Sequence, residues 1–288
     1  MDIPATKADG TLEHVRSAKM IAVLKGVPDP VLRHSTAEGM EIFFSRHAGF
    51  YSALLNQLHG IRLTAMKRAG VEPLDVSLAQ NRMSREAFEA IREAIRRHLG
   101  TLRRTVTLRA PFMGEGPMHF EDLMAPCPQK TGRVAPPLPY GEGIGIVKAS
   151  LSKVNPEMGD FVEMMLEKGW IDAKPSDKKI GGAFYSRFNE FKIPRVFTTY
   201  LDSITSVFQQ GHELGHAYHY WMMRDLPMIE TEFPMTLTET ASTFNEAVIR
   251  RSLFEKAEGD ERFAMLWQEL KSAANFLLQD VGSLGFEL

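Results

Sequence analysis

Cysteine is almost missing from this chain, because Cys127 is the only one among its 288 residues. A single thiol excludes an internal disulfide. The N-terminus begins Met-Asp-Ile-Pro and has no apolar signal-peptide core, so we expect a cytoplasmic protein. No apolar run approaches the roughly 20 residues that cross a bilayer, and we expect no membrane partner.

Strong charge of either sign is also lacking. The formal net charge is -2, and no run of like charge interrupts the sequence. A protein that binds nucleic acid is expected to carry a basic patch, so we expect no nucleic-acid partner. Hydrophobic residues make up 44% of the chain, which is enough for one sizeable core or two subdomains of a globular protein.

One stretch combines residue types that bind a metal and activate water. His212-Glu213-Leu-Gly-His216 places two histidines one helical turn apart, so both imidazoles leave the same face of a helix and can reach one ion. A catalytic zinc accepts histidine nitrogens and keeps one position for water. Glu213 is the expected base for that water. The alternative is a pair of histidines that only pack in a core.

The surroundings of this motif favour a helix that another segment approaches closely. Residues 202–222 carry apolar side chains at helical spacing, and Asp202 is the expected N-cap. Gly211 and Gly215 each cost about 1 kcal/mol of helix propensity relative to alanine. We therefore expect another backbone to lie close against the helix at these glycines.

A third ligand is expected from the next helix, which Thr236 or Thr238 could cap. Glu239 and Glu246 are seven residues apart and therefore share one face of that helix. One carboxylate can bind the metal while the other orients a ligating imidazole through a hydrogen bond. The alternative is that both are solvated surface acids.

The two motifs resemble the oligoendopeptidase F branch of the thimet oligopeptidase family of zinc peptidases. The resemblance rests on His212-Glu-Leu-Gly-His-Ala-Tyr-His219 and Glu239-Thr-Ala-Ser-Thr-Phe-Asn-Glu246, with weaker likeness at 120–126, 169–172 and 181–185. It implies a mainly α-helical, zincin-like fold with a small β-sheet beside the active-site helix, as in thimet oligopeptidase and neurolysin. It also implies hydrolysis of short, unfolded oligopeptides.

The resemblance assigns roles to individual residues. It implies one Zn2+ per chain with His212, His216 and Glu239 as ligands. Glu246 belongs to the shell that supports these ligands, and Glu213 is the catalytic base.

The chain departs from this family in one respect. Family members use a histidine and a tyrosine well downstream of the second motif to stabilise the oxyanion, but here no histidine follows His219 and no tyrosine follows Tyr220. We therefore expect a fragment or shortened form without the closing C-terminal segment. Two alternatives to an active endopeptidase stay open: a zinc-binding but catalytically impaired fragment, and a metal-free helical interaction protein.

The chain is expected to divide into a helical N-terminal part, residues 1–125, and a catalytic zinc-binding part, residues 126–288. Residues 1–10 are expected to be irregular, with helices over 12–25 and 31–69 and another that Ser84 caps. Prolines and glycines between 111 and 143 predict a long loop. The apolar residues expected in the core of the second helix are Phe43, Phe44, Phe50, Leu54, Leu55, Leu58 and Leu63.

Residues 183–188 and 193–200 are rich in aromatic and β-branched side chains and predict a β-hairpin with a turn at 189–192. An exposed hairpin edge can accept an extended peptide as a further strand. We therefore expect Gly182, Ala183 and Phe184 to bind substrate. The alternative is a small structural sheet that covers the core.

Overall fold

The computed structural model describes residues 2–16, 20, 23–24, 27–114, 118–128, 137–176, 179 and 182–287. Contacts divide the chain into two compact units, one made of Met1–Gly132 with Phe263–Leu288 and the other of Arg133–Arg262. The expected functional division after residue 125 stays a prediction.

The first unit begins with a β-hairpin. Strands β1, Asp2–Thr6, and β2, Leu12–Arg16, pair antiparallel with Ile3 opposite Val15. Both of these side chains are buried, because residues directly opposite each other on paired strands face the same side of the sheet. The prediction of an irregular N-terminus is therefore wrong for residues 2–6, and the prediction of a helix from residue 12 is wrong for residues 12–16. The rest of that predicted helix lies largely outside the described residues.

Helices follow the hairpin. The described helices of this part are α1, Pro30–Arg46; α2, Ala48–Ala69; α3, Pro73–Gln80; and α4, Arg85–Arg109. Ser84 caps α4 as predicted, because its side chain accepts a hydrogen bond from the Ala87 N–H at 3.1 Å. The helical pattern predicted over 31–69 forms two helices, divided at His47.

The prediction that the apolar residues of α1 and α2 form a buried core is wrong, because most of them are exposed. No residue of α2 is buried, although every one of its residues is described. Helical spacing identifies an apolar face but does not say whether a partner covers it. Among the predicted core residues, the exposed ones are Phe44, Phe50, Leu54, Leu55, Leu58 and Leu63. The buried cluster of this unit instead consists of Ile3, Ala5, Val15, Met20, Val23 and Leu32.

The second unit holds the predicted motifs. Its helices are α5, Tyr140–Ser152; α6, Pro156–Glu167; α7, Ile204–Met223; α8, Met235–Thr238; and α9, Thr240–Phe254. The last helix, α10, spans Gly259–Glu287 and belongs to the first unit from Phe263 onward. The loop predicted as far as Gly143 ends sooner, because α5 already begins at Tyr140. Buried side chains from α5, α6, α7 and α9 form the core, among them Val147, Val162, Met165, Leu214 and Ile249.

A three-stranded sheet packs against α7. It consists of β3, Ile171–Asp172; β4, Phe184–Phe188; and β5, Ile193–Phe197, in the order β3-β5-β4. The predicted hairpin is confirmed, since β4 and β5 pair antiparallel with Phe184 opposite Phe197. Strand β4 lies at one edge of the sheet. The mainly helical fold with a small sheet beside the motif helix is also confirmed.

No helix in the described part of the chain combines the length and the apolar character needed to cross a membrane.

Candidate metal and catalytic site

Helix α7 carries His212 and His216 and begins one residue later than predicted. Ser203 is the N-cap, since its side chain accepts a hydrogen bond from the Ser206 N–H at 3.3 Å. Asp202 instead adopts a left-handed backbone with a φ of 44°. The cap prediction was wrong because serine and aspartate are both favoured N-caps, and their neighbouring positions do not distinguish them.

The two glycines of α7 lie where helix α9 crosses it. A Cβ on Gly215 would lie 2.6 Å from the Ala241 carbonyl oxygen and 2.7 Å from the Cα of Ser242. The expected close approach of a backbone is confirmed at this position. At Gly211 the near atom is instead a side-chain atom, because a Cβ would lie 2.1 Å from Cδ1 of Ile249.

Three potential metal-binding atoms converge at this crossing. Nε2 of His212 and Nε2 of His216 are 3.2 Å apart, and Oε2 of Glu239 lies 3.1 Å from the first and 3.3 Å from the second. A tetrahedral zinc with bonds of about 2.0 to 2.1 Å holds its ligand atoms about 3.3 to 3.4 Å apart. Two imidazole nitrogens and one carboxylate oxygen therefore suit zinc in both chemistry and spacing, and they leave its fourth position open.

Hydrogen bonds orient both imidazoles. Nδ1 of His212 lies 2.6 Å from Oε1 of Glu246, and the other oxygen of this carboxylate accepts a hydrogen bond from Arg250 at 3.2 Å. The ring of His216 hydrogen-bonds with the backbone carbonyl of Thr238. Because a carboxylate only accepts, Nδ1 of His212 carries the proton and Nε2 presents its lone pair to the convergence point.

The carboxyl group of Glu213 is buried beside the two imidazoles. Glu213 is 6% exposed. Burial raises its pKa to about 7, although the neighbouring His212 lowers it and the backbone N–H of Tyr185 donates a hydrogen bond to the carboxylate. A carboxyl group with a pKa near 7 is well matched to accept a proton at neutral pH.

The two histidines differ electrostatically. Burial acts to lower the pKa of His212, but its hydrogen bond with Glu246 and the nearby carboxylates together raise it above the ordinary value. Burial lowers the pKa of His216. Neutral imidazole is the form that binds a metal, so both rings must be deprotonated at Nε2 for ligation.

Several partners of these residues were missed by sequence reasoning. Ser242 donates a hydrogen bond to Oε2 of Glu239 at 2.7 Å. Its spacing of one helical turn after Glu239 was an available signal. Arg250 lies one turn after Glu246 on the same helix, so its i,i+4 spacing was a further available signal. The contact from the Tyr185 N–H to Glu213 depends on how strand β4 meets α7, so the motif spacing alone could not reveal it.

The predicted substrate residues lie at the start of the edge strand. Gly182 has a φ of 99°, a backbone conformation that favours glycine. Ala183 follows it, and the ring of Phe184 stacks on Phe197 with centroids 4.8 Å apart. Tyr185, next along the chain, contacts Glu213 through its backbone, so these residues adjoin the site. Their role in binding substrate stays a prediction.

The tyrosines of α7 are turned away from the histidine pair. The Tyr218 ring packs on Phe161 with centroids 5.3 Å apart. Tyr220 is 4% exposed, and its hydroxyl donates to Asn189 at 3.3 Å. Neither hydroxyl is therefore directed at the convergence point.

Comparisons with known proteins find similarity in the segment that contains both motifs. Residues 151–276, which contain both motifs, match the family model of peptidase family M3. The oligoendopeptidase F homolog of Lactococcus lactis is 27% identical over 206 residues, which are 71% of this chain and 33% of that protein.

Solved structures share the fold. A crystal structure of a candidate peptidase from Chlamydophila abortus superposes with a TM-score of 0.78 at 21% identity, covering 99% of this chain and 47% of the other. Oligoendopeptidase F from Enterococcus faecium superposes with a TM-score of 0.64 at 16% identity, covering 100% of this chain and 44% of the other. At these identities the likeness establishes the fold.

The matched segment is similar to peptidase family M3, and the chain shares the fold of the solved structures. Within that class, the resemblance to the oligoendopeptidase F branch that the two motifs predict is confirmed. The aligned region spans about a third of the length of the curated relatives, 33% for the Lactococcus lactis protein.

Proposed function

We propose that this chain is a zinc-dependent endopeptidase that hydrolyses short oligopeptides. The observation that carries the proposal is the convergence of the His212, His216 and Glu239 ligand atoms, all 3.1 to 3.3 Å apart. This spacing agrees with one zinc ion per chain. The buried Glu213 beside these atoms supplies the base that peptide hydrolysis requires.

When bound, zinc lowers the pKa of a water molecule and polarises the scissile carbonyl. Glu213 accepts the proton of the attacking water and later passes it to the leaving amine. Burial keeps its carboxyl group close to the metal ligands and out of bulk water. The Tyr185 N–H holds the carboxylate in place, while Glu246 holds the His212 ring.

The edge of the sheet provides a site for an extended peptide. Among the described strands, β4 pairs with β5 on one side only, so its other side can pair with a peptide backbone. Gly182, Ala183 and Phe184 would lie beside such a peptide, and Tyr185 connects this edge to Glu213. The added strand would therefore run past the base and the metal ligands. The same arrangement supports an oligopeptide as the partner.

The test is hydrolysis of an internally quenched peptide by the purified 288-residue chain. Activity should require one zinc per chain, should stop on addition of a chelator and should return with zinc. Glu213→Gln should retain zinc and lose activity, whereas Glu190→Gln, an exposed change in the hairpin turn, should retain both. Zinc-loaded protein that cleaves no member of a peptide library would reject the endopeptidase for this chain.

A second candidate function is zinc binding without efficient turnover. It is favoured by the orientation of Tyr218 and Tyr220, whose hydroxyls are not directed at the metal ligands. The family that the motifs resemble stabilises the oxyanion with a histidine and a tyrosine from a downstream segment. Oxyanion donors of this kind are worth about 3 to 4 kcal/mol of transition-state stabilisation. Full activity of the chain alone would exclude this candidate. Activity that appears only after a downstream segment with those residues is added would support it.

A metal-free helical interaction protein is the remaining alternative. Stoichiometric zinc in the purified chain would exclude it.

A further inference from the structure

Glu239 is the most exposed of the three residues that converge. Its side chain is 54% exposed, compared with 25% for His212 and 11% for His216. Its backbone lies between α8 and α9 and caps neither helix with its side chain. Holding a long glutamate side chain in one rotamer costs conformational entropy. A ligand of this kind needs a partner that fixes it, just as Glu246 fixes His212.

Ser242 meets this requirement. Its Oγ lies 2.7 Å from Oε2 of Glu239, the same oxygen that faces Nε2 of both histidines. The backbone carbonyl of Glu239 is also near, at 3.0 Å from the hydroxyl. A hydroxyl has one proton, and the shorter distance together with the charge of the carboxylate favours donation to Oε2. Since a carboxylate oxygen accepts at two lone-pair positions, Oε2 can accept this proton and still bind a cation.

The position of Ser242 is itself fixed by helix packing. Ser242 is 0% exposed and lies on the face of α9 that meets α7. A Cβ on Gly215 would lie only 2.7 Å from the Ser242 Cα, so the two backbones are in close contact at this point. Gly215 immediately precedes His216. The same contact therefore places the hydroxyl of Ser242 and the imidazole of His216 relative to each other.

We propose that Ser242 is a positioning residue that holds the Glu239 carboxylate in its metal-binding orientation. This inference rests on the proposed zinc site. Ser242 touches neither substrate nor metal and acts through Glu239. Removing its hydroxyl should leave the three ligand residues in place but free the carboxylate to rotate into solvent.

The test is the zinc affinity of the full chain, measured by competition with a chromophoric chelator. Ser242→Ala should weaken zinc binding about tenfold, within the effect typical of partners of metal ligands. Thr243→Ala is the matched control, because the Thr243 hydroxyl donates to the backbone carbonyl of Glu239 and not to its carboxylate. Its zinc affinity should remain that of the wild type. The visible spectrum of the cobalt-loaded chain should change in Ser242→Ala and not in the control.

A double-mutant cycle separates positioning from general damage. In a Glu239→Ala background, Ser242→Ala should weaken zinc binding no further, because its partner is already gone. The proposal would be overturned if the loss persisted in this background, or if Ser242→Ala alone left the zinc affinity unchanged. In either case, zinc binding by the wild type would still support the metal site. A wild-type chain that binds no zinc would instead reject the site itself.

Discussion

Nδ1 of His212 and Oε1 of Glu246 lie 2.6 Å apart, so one helix of the site orients a ligand on the other. The charge of Glu246 holds the imidazole and makes its Nε2 a stronger electron-pair donor to the metal. Glu246→Gln removes this charge. We expect zinc affinity to fall about 10- to 100-fold, as is typical for such partners. Glu255→Gln, which removes an exposed partner of Arg251 just after the same helix, should leave zinc affinity unchanged. Equal affinities of both variants would contradict this role for Glu246.

Glu213 should make the metal-free protein less stable as the pH rises. Its folded pKa is raised to about 7 from an ordinary value of 4.5, so the folded state holds its proton more tightly than the unfolded chain does. The sign follows from linkage: stability from this group is complete below pH 4.5 and is lost as the pH rises through 7. At pH 8, Glu213→Gln should therefore raise the free energy of unfolding by about 2 to 3 kcal/mol.

Denaturant unfolding in the presence of a chelator, at pH 4 and pH 8, measures this effect. The difference between Glu213→Gln and the wild type should vanish at pH 4. A difference of the same size at both pH values would show that the substitution acts through packing and not through the buried charge.

Gly215 should be intolerant of any side chain. Gly215→Ala would place a Cβ 2.6 Å from a backbone oxygen of α9, so the helices must move apart. We expect a loss of about 1 to 3 kcal/mol of stability, together with weaker zinc binding, because the shift separates His216 from Glu239. Gly145→Ala on α5 is the matched control, since nothing lies within 4 Å of its Cβ. It should be neutral or stabilising by up to about 1 kcal/mol. Thermal or denaturant unfolding of both variants is the measurement.

Substrate binding at the sheet edge predicts a kinetic effect at Ala183. A bulkier side chain, as in Ala183→Leu, would obstruct an added strand next to Glu213. We expect KM to rise about 5- to 10-fold with zinc content unchanged. Glu190→Leu, in the exposed turn of the same hairpin, should leave KM as it is. Unchanged Michaelis constants in Ala183→Leu would favour the alternative, a purely structural sheet.

The motifs were informative because their residues are close in sequence. His212 and His216 share a helix. The seven-residue spacing from Glu239 to Glu246 predicted that both carboxylates lie on one side of the following helix. The confirmed features, the mainly helical fold and the β4–β5 hairpin, also follow from local patterns. The contact from Ser242 to Glu239 spans one helical turn and was locally readable, whereas the hydrogen bond from the Tyr185 N–H to Glu213 depends on how strand β4 meets α7, which no local pattern encodes.

The errors have a common physical origin. Leu12–Arg16 was predicted as helix because its few apolar residues fit the spacing of a helix as well as that of a strand. It forms a strand because it pairs with Asp2–Thr6. The apolar face of α2 was predicted to be buried because spacing identifies a face without its partner. Gly143 was assigned to a loop from composition, whereas α5 accommodates it within its first turn.

The most direct measurement is zinc-edge X-ray absorption of the zinc-loaded chain. The account predicts one zinc with only nitrogen and oxygen neighbours at about 2.0 to 2.1 Å, including two imidazoles, and the loss of one oxygen neighbour in Glu239→Ala. Failure to retain zinc, or a sulfur neighbour at about 2.3 Å supplied by Cys127, would contradict it.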